Sequence, residues 1–217
     1  MTFTNLLKPR YWPLWVGLGI LWCLTRLPYR WQMAVGRQLG HLTYWLAPRR
    51  RKIAAINLKL CFPELNETQR YRLLRQHFES LGMSLLEMLS AGWRSEASLK
   101  PLGHIEGLEH LHAALKRGKG VILLSAHFTS LEIGGYFLTL HFVFHTTYRP
   151  HENPLIEYFM KKNRESRVEK AIPRDAVREM LRSLKQNKPL WIATDQNFGH
   201  KHSVFADFFG IPAATNT

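Results

Sequence analysis

The sequence predicts an α/β fold, in which a helical N-terminal part packs on a mixed or largely parallel sheet flanked by helices. Apolar residues recur at helical spacing in residues 31–100. In residues 101–217, short apolar runs alternate with segments of helical period, a pattern typical of parallel sheets covered by helices. With 217 residues and 46% hydrophobic content, the chain is long enough to bury one sizeable core.

Residues 1–30 are predicted to form a membrane anchor. The run Leu14 to Leu24, LWVGLGILWCL, is apolar over 11 residues, whereas a spanning helix needs about 20. It would cross only by recruiting Tyr11, Trp12 and Thr25 to Pro28. Aromatic residues around the run favour an interfacial position: Tyr11, Trp12, Trp15, Trp22, Tyr29 and Trp31. A buried core helix and a cleaved signal peptide are the alternatives, although no small-residue cleavage site follows.

Two further helices are predicted before residue 100. Trp31 to Ala47 has helical spacing and should end at Pro48. Asn66 to Trp93 carries leucine and phenylalanine on one face. Between them, Arg49 to Lys52 is a basic cluster, which suits either a solvated surface or anionic head groups.

The second half is predicted to alternate strands with helices. The predicted strands are Val121 to Leu124, Phe142 to Thr147 and Leu190 to Ala193. The predicted helices are Leu108 to Arg117, Leu131 to Leu140, Asn153 to Arg164 and Arg174 to Gln186. Pro173 and Asp175 are residue types that often begin a helix. Gly118 to Gly120 is predicted to end a helix before the next strand. No linker separates independent domains.

The charge of the chain favours a polyanionic partner. Thirty Lys and Arg against 16 Asp and Glu give a formal net charge of +14, which suits nucleic acid, an anionic membrane face or a phosphorylated substrate. Cys23 and Cys61 have neither metal-type nor redox-type spacing. The catalytic part therefore fits a reducing, cytosolic side.

His127 is the candidate catalytic residue. It ends the predicted strand GVILLSAH, and FTSLEIGG opens a helix directly after it. Open α/β sheets bind ligands at this carboxyl edge. Glu132 follows five residues later, so the two side chains meet only if His127 lies in the turn. A carboxylate that accepts one ring N–H would let the other nitrogen act as general base.

The spacing of this histidine and glutamate is weak evidence alone, because Thr129 to Glu132 also fits a helix capping box. The following Gly134 and Gly135 would permit close approach of a backbone or a lipid chain.

Five blocks of the sequence resemble the late acyltransferases of lipid A biosynthesis, the lauroyl, myristoyl and palmitoleoyl transferases, within the broader glycerolipid acyltransferase superfamily. The blocks are RRRKIAAINLKLCFPEL (49–65), SAHFTSLEIGG (125–135), TYRPHENPLIEYF (147–159), NRESR (163–167) and ATDQNFGHKHSVFADFFG (193–210). The resemblance implies an acyltransferase domain over residues 31–217, with a helical lead-in at 31–100 and an α/β catalytic part at 101–217. Members of this family continue well past the last block, so we expect the catalytic part to be incomplete at its C-terminal end.

The resemblance also implies a reaction. His127 would act as general base, with Glu132 as its orienting partner. An acyl chain, lauroyl or myristoyl, would pass from acyl carrier protein to a hydroxyl of a 3-hydroxyacyl chain on a Kdo-lipid A precursor. No cofactor is expected, and the location would be the cytoplasmic face of the inner membrane. Acyl carrier protein is acidic and the glycolipid acceptor anionic, so the basic surface suits both.

Further residues are candidates for substrate binding. Arg149 lies just beyond a predicted strand, and Arg164 and Arg167 follow on a predicted helix. Arginine forks bind phosphate, or orient the acids of a site. Asp195 and Gln196 end another predicted strand at the same edge of the sheet, and Gly199 then permits a turn.

Other classes of function are less well supported. In a strand, His141 and His145 would lie about 13 Å apart, too far for one zinc ion, and His200 and His202 lack a metal-site context. A nucleic-acid-binding protein would match the charge, but the aromatic residues do not interleave with the basic ones. A hydrolase that used Ser125 as nucleophile would be expected to have a G-x-S-x-G elbow motif, which is not found around this residue. Another glycerolipid or glycolipid acceptor is the closer alternative.

Overall fold

Helices come first along the chain, and strands enter from residue 121. The computed structural model describes residues 3–196 and 203–216. The α-helices are α1 (Trp12–Leu24), α2 (Tyr29–Leu46), α3 (Pro48–Cys61), α4 (Glu67–Trp93), α5 (Glu96–Leu99), α6 (Leu108–Leu115), α7 (Leu131–Thr139), α8 (Pro154–Glu165) and α9 (Val177–Lys185). The strands are β1 (Val121–Ser125), β2 (His145–Tyr148), β3 (Lys170–Pro173), β4 (Pro189–Ala193), β5 (Ser203–Phe208) and β6 (Ile211–Asn216).

Four strands form a wholly parallel sheet in the order β1-β4-β2-β3. The predicted α/β alternation and parallel pairing are therefore confirmed. Gly118 and Gly120 have φ of 69° and 72°, a conformation that glycine adopts without strain, and they end α6 before β1 as predicted. β5 and β6 pair antiparallel in a separate ribbon, which the sequence pattern did not predict.

Two predicted boundaries in the second half are wrong. The strand predicted from Phe142 begins only at His145, so His141 lies outside it. Pro173 was predicted to open a helix but is the last residue of β3, and α9 starts at Val177. A proline is tolerated there because β3 is an edge strand of the sheet.

The chain divides into two compact units. One consists of residues 1–26, 89–126 and 131–194 and contains the parallel sheet. Its cores include a cluster of α5 and α7 side chains, among them Leu99, Ile133 and Tyr136.

The other unit consists of residues 27–88, 127–130 and 195–217. It buries Tyr44, Leu74 and Phe78 between α2 and α4. The two helices approach closely at Gly40, where a Cβ would come within 2.2 Å of the Phe78 carbonyl oxygen.

Helix α1 packs one face and exposes the other. Leu14, Trp15 and Leu18 contact Leu155 and its neighbours in α8, whereas Trp12, Val16 and Ile20 are exposed. Trp22, near the C-terminal end of the helix, is exposed as well. Within residues 3–196 and 203–216, no helix combines the length and the apolar character needed to cross a membrane.

His145 is buried at the start of β2. Its Nδ1 lies 2.7 Å from the Ser183 hydroxyl, which itself donates to the Glu179 carbonyl at 3.0 Å, so the ring donates from Nδ1. Burial lowers the pKa of His145, and the attraction of the Glu169 carboxylate opposes this only in part.

The free energy of unfolding should therefore fall as the pH drops below about 6.5, where a histidine in the unfolded chain takes up a proton that folded His145 resists. His145→Asn keeps a hydrogen-bond donor for Ser183 but cannot take up a proton. It should lower the dependence of the free energy of unfolding on pH by up to about 1.4 kcal/mol per pH unit. Urea unfolding at several pH values measures it. His104→Asn, at an exposed histidine, should keep the pH dependence of the wild-type protein. The prediction would be contradicted if the wild type and both variants showed the same pH dependence.

Candidate active site

His127 and Asp195 are hydrogen-bonded to each other beyond the ends of two neighbouring parallel strands. β1 and β4 pair in register with Ser125 opposite Ala193, and His127 and Asp195 each follow two residues later. Nδ1 of His127 lies 2.6 Å from Oδ1 of Asp195. The backbone N–H of His127 donates to Oδ2 of the same carboxylate at 2.8 Å. One residue therefore engages both oxygens of Asp195.

These contacts define the protonation state of the pair. An ionised carboxylate only accepts hydrogen bonds, so the His127 ring carries a proton on Nδ1 and a lone pair on Nε2 when it is neutral. Partial burial acts to raise the pKa of Asp195, but the ring and backbone hydrogen bonds from His127 prevail and hold that pKa below its usual value. The His127 side chain is 39% exposed, so its ring can be reached from solvent.

Helix α4 supports the segment that follows His127. The hydroxyl of Thr129 lies 2.8 Å from that of Ser80 in α4. This contact ties the turn between His127 and α7 to a long helix of the same unit.

Glu132 is paired with Arg164. Glu132 lies in the first turn of α7, where the helix dipole favours a negative charge. Arg164 lies in the last turn of α8 and binds the carboxylate through Nη2, with Nε 3.5 Å from the second oxygen. The two side chains are only 29% and 21% exposed. The guanidinium also lies 5.9 Å from the centre of the Tyr148 ring.

Asp195 therefore occupies the position on the His127 ring that the sequence predicted for Glu132. Register explains this, because residues two positions beyond paired Ser125 and Ala193 continue side by side. The catalytic role predicted for Glu132 stays a prediction, since its carboxylate has Arg164 as its partner.

Arg149 directly follows β2, as predicted, and is exposed. Its Nη2 lies 3.5 Å from Glu152, at the outer limit of a hydrogen bond. Glu157, which the sequence did not single out, fixes this loop by accepting from the Tyr148 hydroxyl at 3.2 Å and the His151 N–H at 2.7 Å. In the sequence, Glu157 could have been noticed as an acidic residue in the first turn of a predicted helix.

The remaining predicted site residues are not grouped with these pairs. Arg167 lies in a turn beyond the end of α8, not on the helix as predicted, with its guanidinium 4.3 Å from the centre of the Tyr136 ring. Burial lowers the pKa of its guanidinium. Gln196 forms an exposed bend after Asp195. Gly199 lies outside the described residues.

Comparison with known proteins identifies the family. The family model for bacterial lipid A biosynthesis acyltransferases matches residues 2–217. The chain is 36% identical over 211 residues to the lipid A biosynthesis palmitoleoyltransferase of Escherichia coli K12, covering 97% of this chain and 69% of that protein. The lauroyltransferase of the same strain is 34% identical over 214 residues, covering 99% and 70%. The chain belongs to the lipid A biosynthesis acyltransferase family.

Membership makes the chain an O-acyltransferase. Its similarity does not point to one acyl chain, because a myristoyltransferase of the same strain is also similar, at 26% identity over 95% of this chain and 65% of that protein.

The described part of this acyltransferase, residues 3–196 and 203–216, has no cluster of three or more possible metal ligands. His200 and His202 fall outside that part.

Two neighbouring glycines of α7, the helix that carries Glu132, differ in the space around them. Alanine substitutions at Gly135 and Gly134 therefore test how tightly α7 packs against Trp191. A Cβ at Gly135 would lie 2.2 Å from the Trp191 ring, whereas one at Gly134 would meet nothing within 4 Å. Gly135→Ala should lower the free energy of unfolding by about 1–3 kcal/mol through overpacking. Gly134→Ala should leave it unchanged or raise it by up to about 1 kcal/mol. Denaturant unfolding measures both, and equal effects would contradict this packing.

Proposed function

We propose that this acyltransferase moves a lauroyl or myristoyl chain from acyl carrier protein to a hydroxyl of a 3-hydroxyacyl chain on a Kdo-bearing lipid A precursor, with His127 as general base. The observation that carries the base assignment is the 2.6 Å contact between His127 Nδ1 and Asp195. It leaves Nε2 as the ring's free acceptor. Family membership supports the acyl transfer and a lipid A-type acceptor.

The proposed reaction is a direct transfer. Nε2 of His127 takes the proton of the acceptor hydroxyl as its oxygen attacks the thioester carbonyl. A C–O ester bond forms, the C–S bond breaks, and the imidazolium returns the proton to the departing thiolate. The ionised Asp195 stabilises the transient imidazolium and keeps the ring in the required orientation. A thioester is reactive enough for one positioned base to suffice.

Glu132 acts in this proposal as a catalytic partner that Arg164 holds in place. Four residues lie between His127 and Glu132 in the sequence, and the arginine fork fixes one rotamer of the carboxylate. Neutralising Glu132 would also leave Arg164, which is 21% exposed, without its counter-ion. We therefore expect Glu132→Gln to impair transfer even though the side chain keeps its shape.

Substrate binding in this proposal uses one exposed cation, Arg149, together with the partly buried Arg167 and the neutral side chain of Gln196. Arg149 is exposed and only loosely paired, so its guanidinium can bind a phosphate of the acceptor. Arg167, stacked on Tyr136, and Gln196, beside Asp195, remain candidates for acceptor contacts. The net charge of +14 would attract both the anionic glycolipid and an acidic carrier protein.

The proposal includes an interfacial position at the cytoplasmic face of the inner membrane. The 13 residues of α1 include no charged side chain, and a helix of this length spans about 20 Å, less than a bilayer core of about 30 Å. Its exposed Trp12 and Trp22 have the amphipathic rings that favour the head-group region.

Transfer should be lost in two variants for different reasons. His127→Ala removes the base and should lower kcat by at least about 10²-fold. Asp195→Asn retains the shape of the side chain but favours the wrong ring tautomer, and should lower kcat by about 10²- to 10⁴-fold with little change in KM. The assay follows the mass of a Kdo-bearing tetraacylated precursor supplied with acyl carrier protein thioesters of several chain lengths, palmitoleoyl included.

Asp175→Asn is the matched control, because Asp175 is 89% exposed and lies away from the pair along the chain. It should keep wild-type kcat. Full activity in His127→Ala would overturn the base assignment. Acylation of lysophospholipid or glycerol phosphate instead of the lipid A precursor would overturn the acceptor but keep the mechanism.

A further inference from the structure

One face of helix α3 packs on the core of its unit, and the opposite face is exposed. Ala54, Ala55 and Leu58 pack against the core of Tyr44, Leu74 and Phe78. On the opposite face, Ile53, Ile56 and Leu60 are 44%, 48% and 48% exposed. Their spacing of three and four residues aligns them in one stripe, about 10 Å long between the first and the last. The core of this unit therefore covers one apolar face of α3 and leaves the other uncovered by it.

Cations border this stripe. At 100° per residue, Arg49 continues the stripe at its N-terminal end, Lys52 and Lys59 lie along one side, and Arg50 lies on the other. The helix contains five basic residues and no acidic one. Arg51 packs on Tyr44, with its guanidinium 4.8 Å from the ring centre. By contrast, no acidic partner of Arg49, Arg50 or Lys52 occurs within the described part of the chain.

The position of these cations opposes helix stability. Arg49 to Lys52 occupy the first turns of α3, where the helix dipole favours acids, and the first turn holds none. The preceding end of α2 adds apolar surface, since Trp45 and Leu46 are 64% and 72% exposed. A folding role thus explains neither the cations nor the apolar side chains between them.

We propose that the outer face of α3, together with Trp45 and Leu46, docks on an anionic phospholipid surface. The aliphatic stripe would enter the acyl boundary, the basic side chains would bind lipid phosphates, and the tryptophan would lie at head-group depth. This contact is separate from α1, which bears no charge, and it rests on the charge and exposure of α3 rather than on the proposed reaction.

Other occupants of this face fit less well. A second copy of the chain would bring the same cations face to face. Nucleic acid would neutralise the cations but offers no apolar surface to Ile53, Ile56 and Leu60. An acidic protein would match the charge, and the experiment below separates it from a membrane.

The test uses the whole chain and its co-sedimentation with phosphatidylcholine vesicles, either pure or with roughly 30 mol% phosphatidylglycerol. Arg49, Arg50 and Lys52 are replaced together by glutamine, which preserves helix propensity. The partition coefficient on the anionic vesicles should fall on the order of a hundred-fold. Binding to pure phosphatidylcholine should stay at the wild-type level, because α1 is unchanged.

The matched control removes the same charge elsewhere. Lys116, Arg117 and Lys119, all exposed after α6, are replaced by glutamine, and the partition coefficient should change less than about three-fold. Replacing Ile53, Ile56 and Leu60 by glutamine should weaken binding to both kinds of vesicle.

Equal losses in the two charge variants would overturn the proposal, because the effect would then reflect net charge alone. Unchanged vesicle binding in the α3 charge variant would overturn it too. If that variant kept its binding to anionic vesicles but lost its binding to acyl carrier protein, the face would belong to an acidic protein instead.

Discussion

The in-register parallel pairing of β1 with β4 determines where the chain carries His127 and Asp195. It sets Ser125 beside Ala193, so the chain leaves both strands side by side and His127 meets Asp195 two residues later. The double contact, through ring and backbone, makes the aspartate sensitive to any slip of register. A shift by one residue would turn the side chains of one strand to the opposite face of the sheet, and the two segments would no longer leave their strands in step.

Four of the candidate site residues pair with one another, and the two pairs differ in their electrostatics. Asp195 stays ionised at low cost because His127 donates to both of its oxygens. Glu132 is held by a cation, Arg164, in a setting that is mostly shielded from water. A mostly shielded carboxylate that has lost its cation is costly, so Arg164 contributes to the site even if it never contacts substrate. In the proposed reaction, Asp195 orients the base, whereas Arg164 holds the carboxylate of Glu132 in one position.

The sequence predicted the elements better than it predicted the contacts between them. The apolar runs before His127 and Asp195 are long enough to be recognised as strands, and both residues were placed at strand ends. To predict that His127 contacts Asp195, one must know that β1 lies beside β4 in the sheet. No local sequence pattern encodes the order of the strands. The contact between Glu132 and Arg164 joins residues 32 apart, on two different helices. The β5–β6 ribbon was missed because its two-residue turn has Phe209 at a φ of 54°, a conformation rarely adopted by phenylalanine.

The protonation of the His127 ring is the most direct test of the central claim. Long-range ¹H–¹⁵N spectra of the chain labelled with ¹⁵N-histidine, assigned with His127→Gln and recorded at alkaline pH, distinguish the two ring nitrogens. We expect a neutral ring with its proton on Nδ1 and an unprotonated Nε2, and loss of that preference in Asp195→Asn. A proton on Nε2 in the wild-type chain, or a spectrum unchanged by Asp195→Asn, would contradict it.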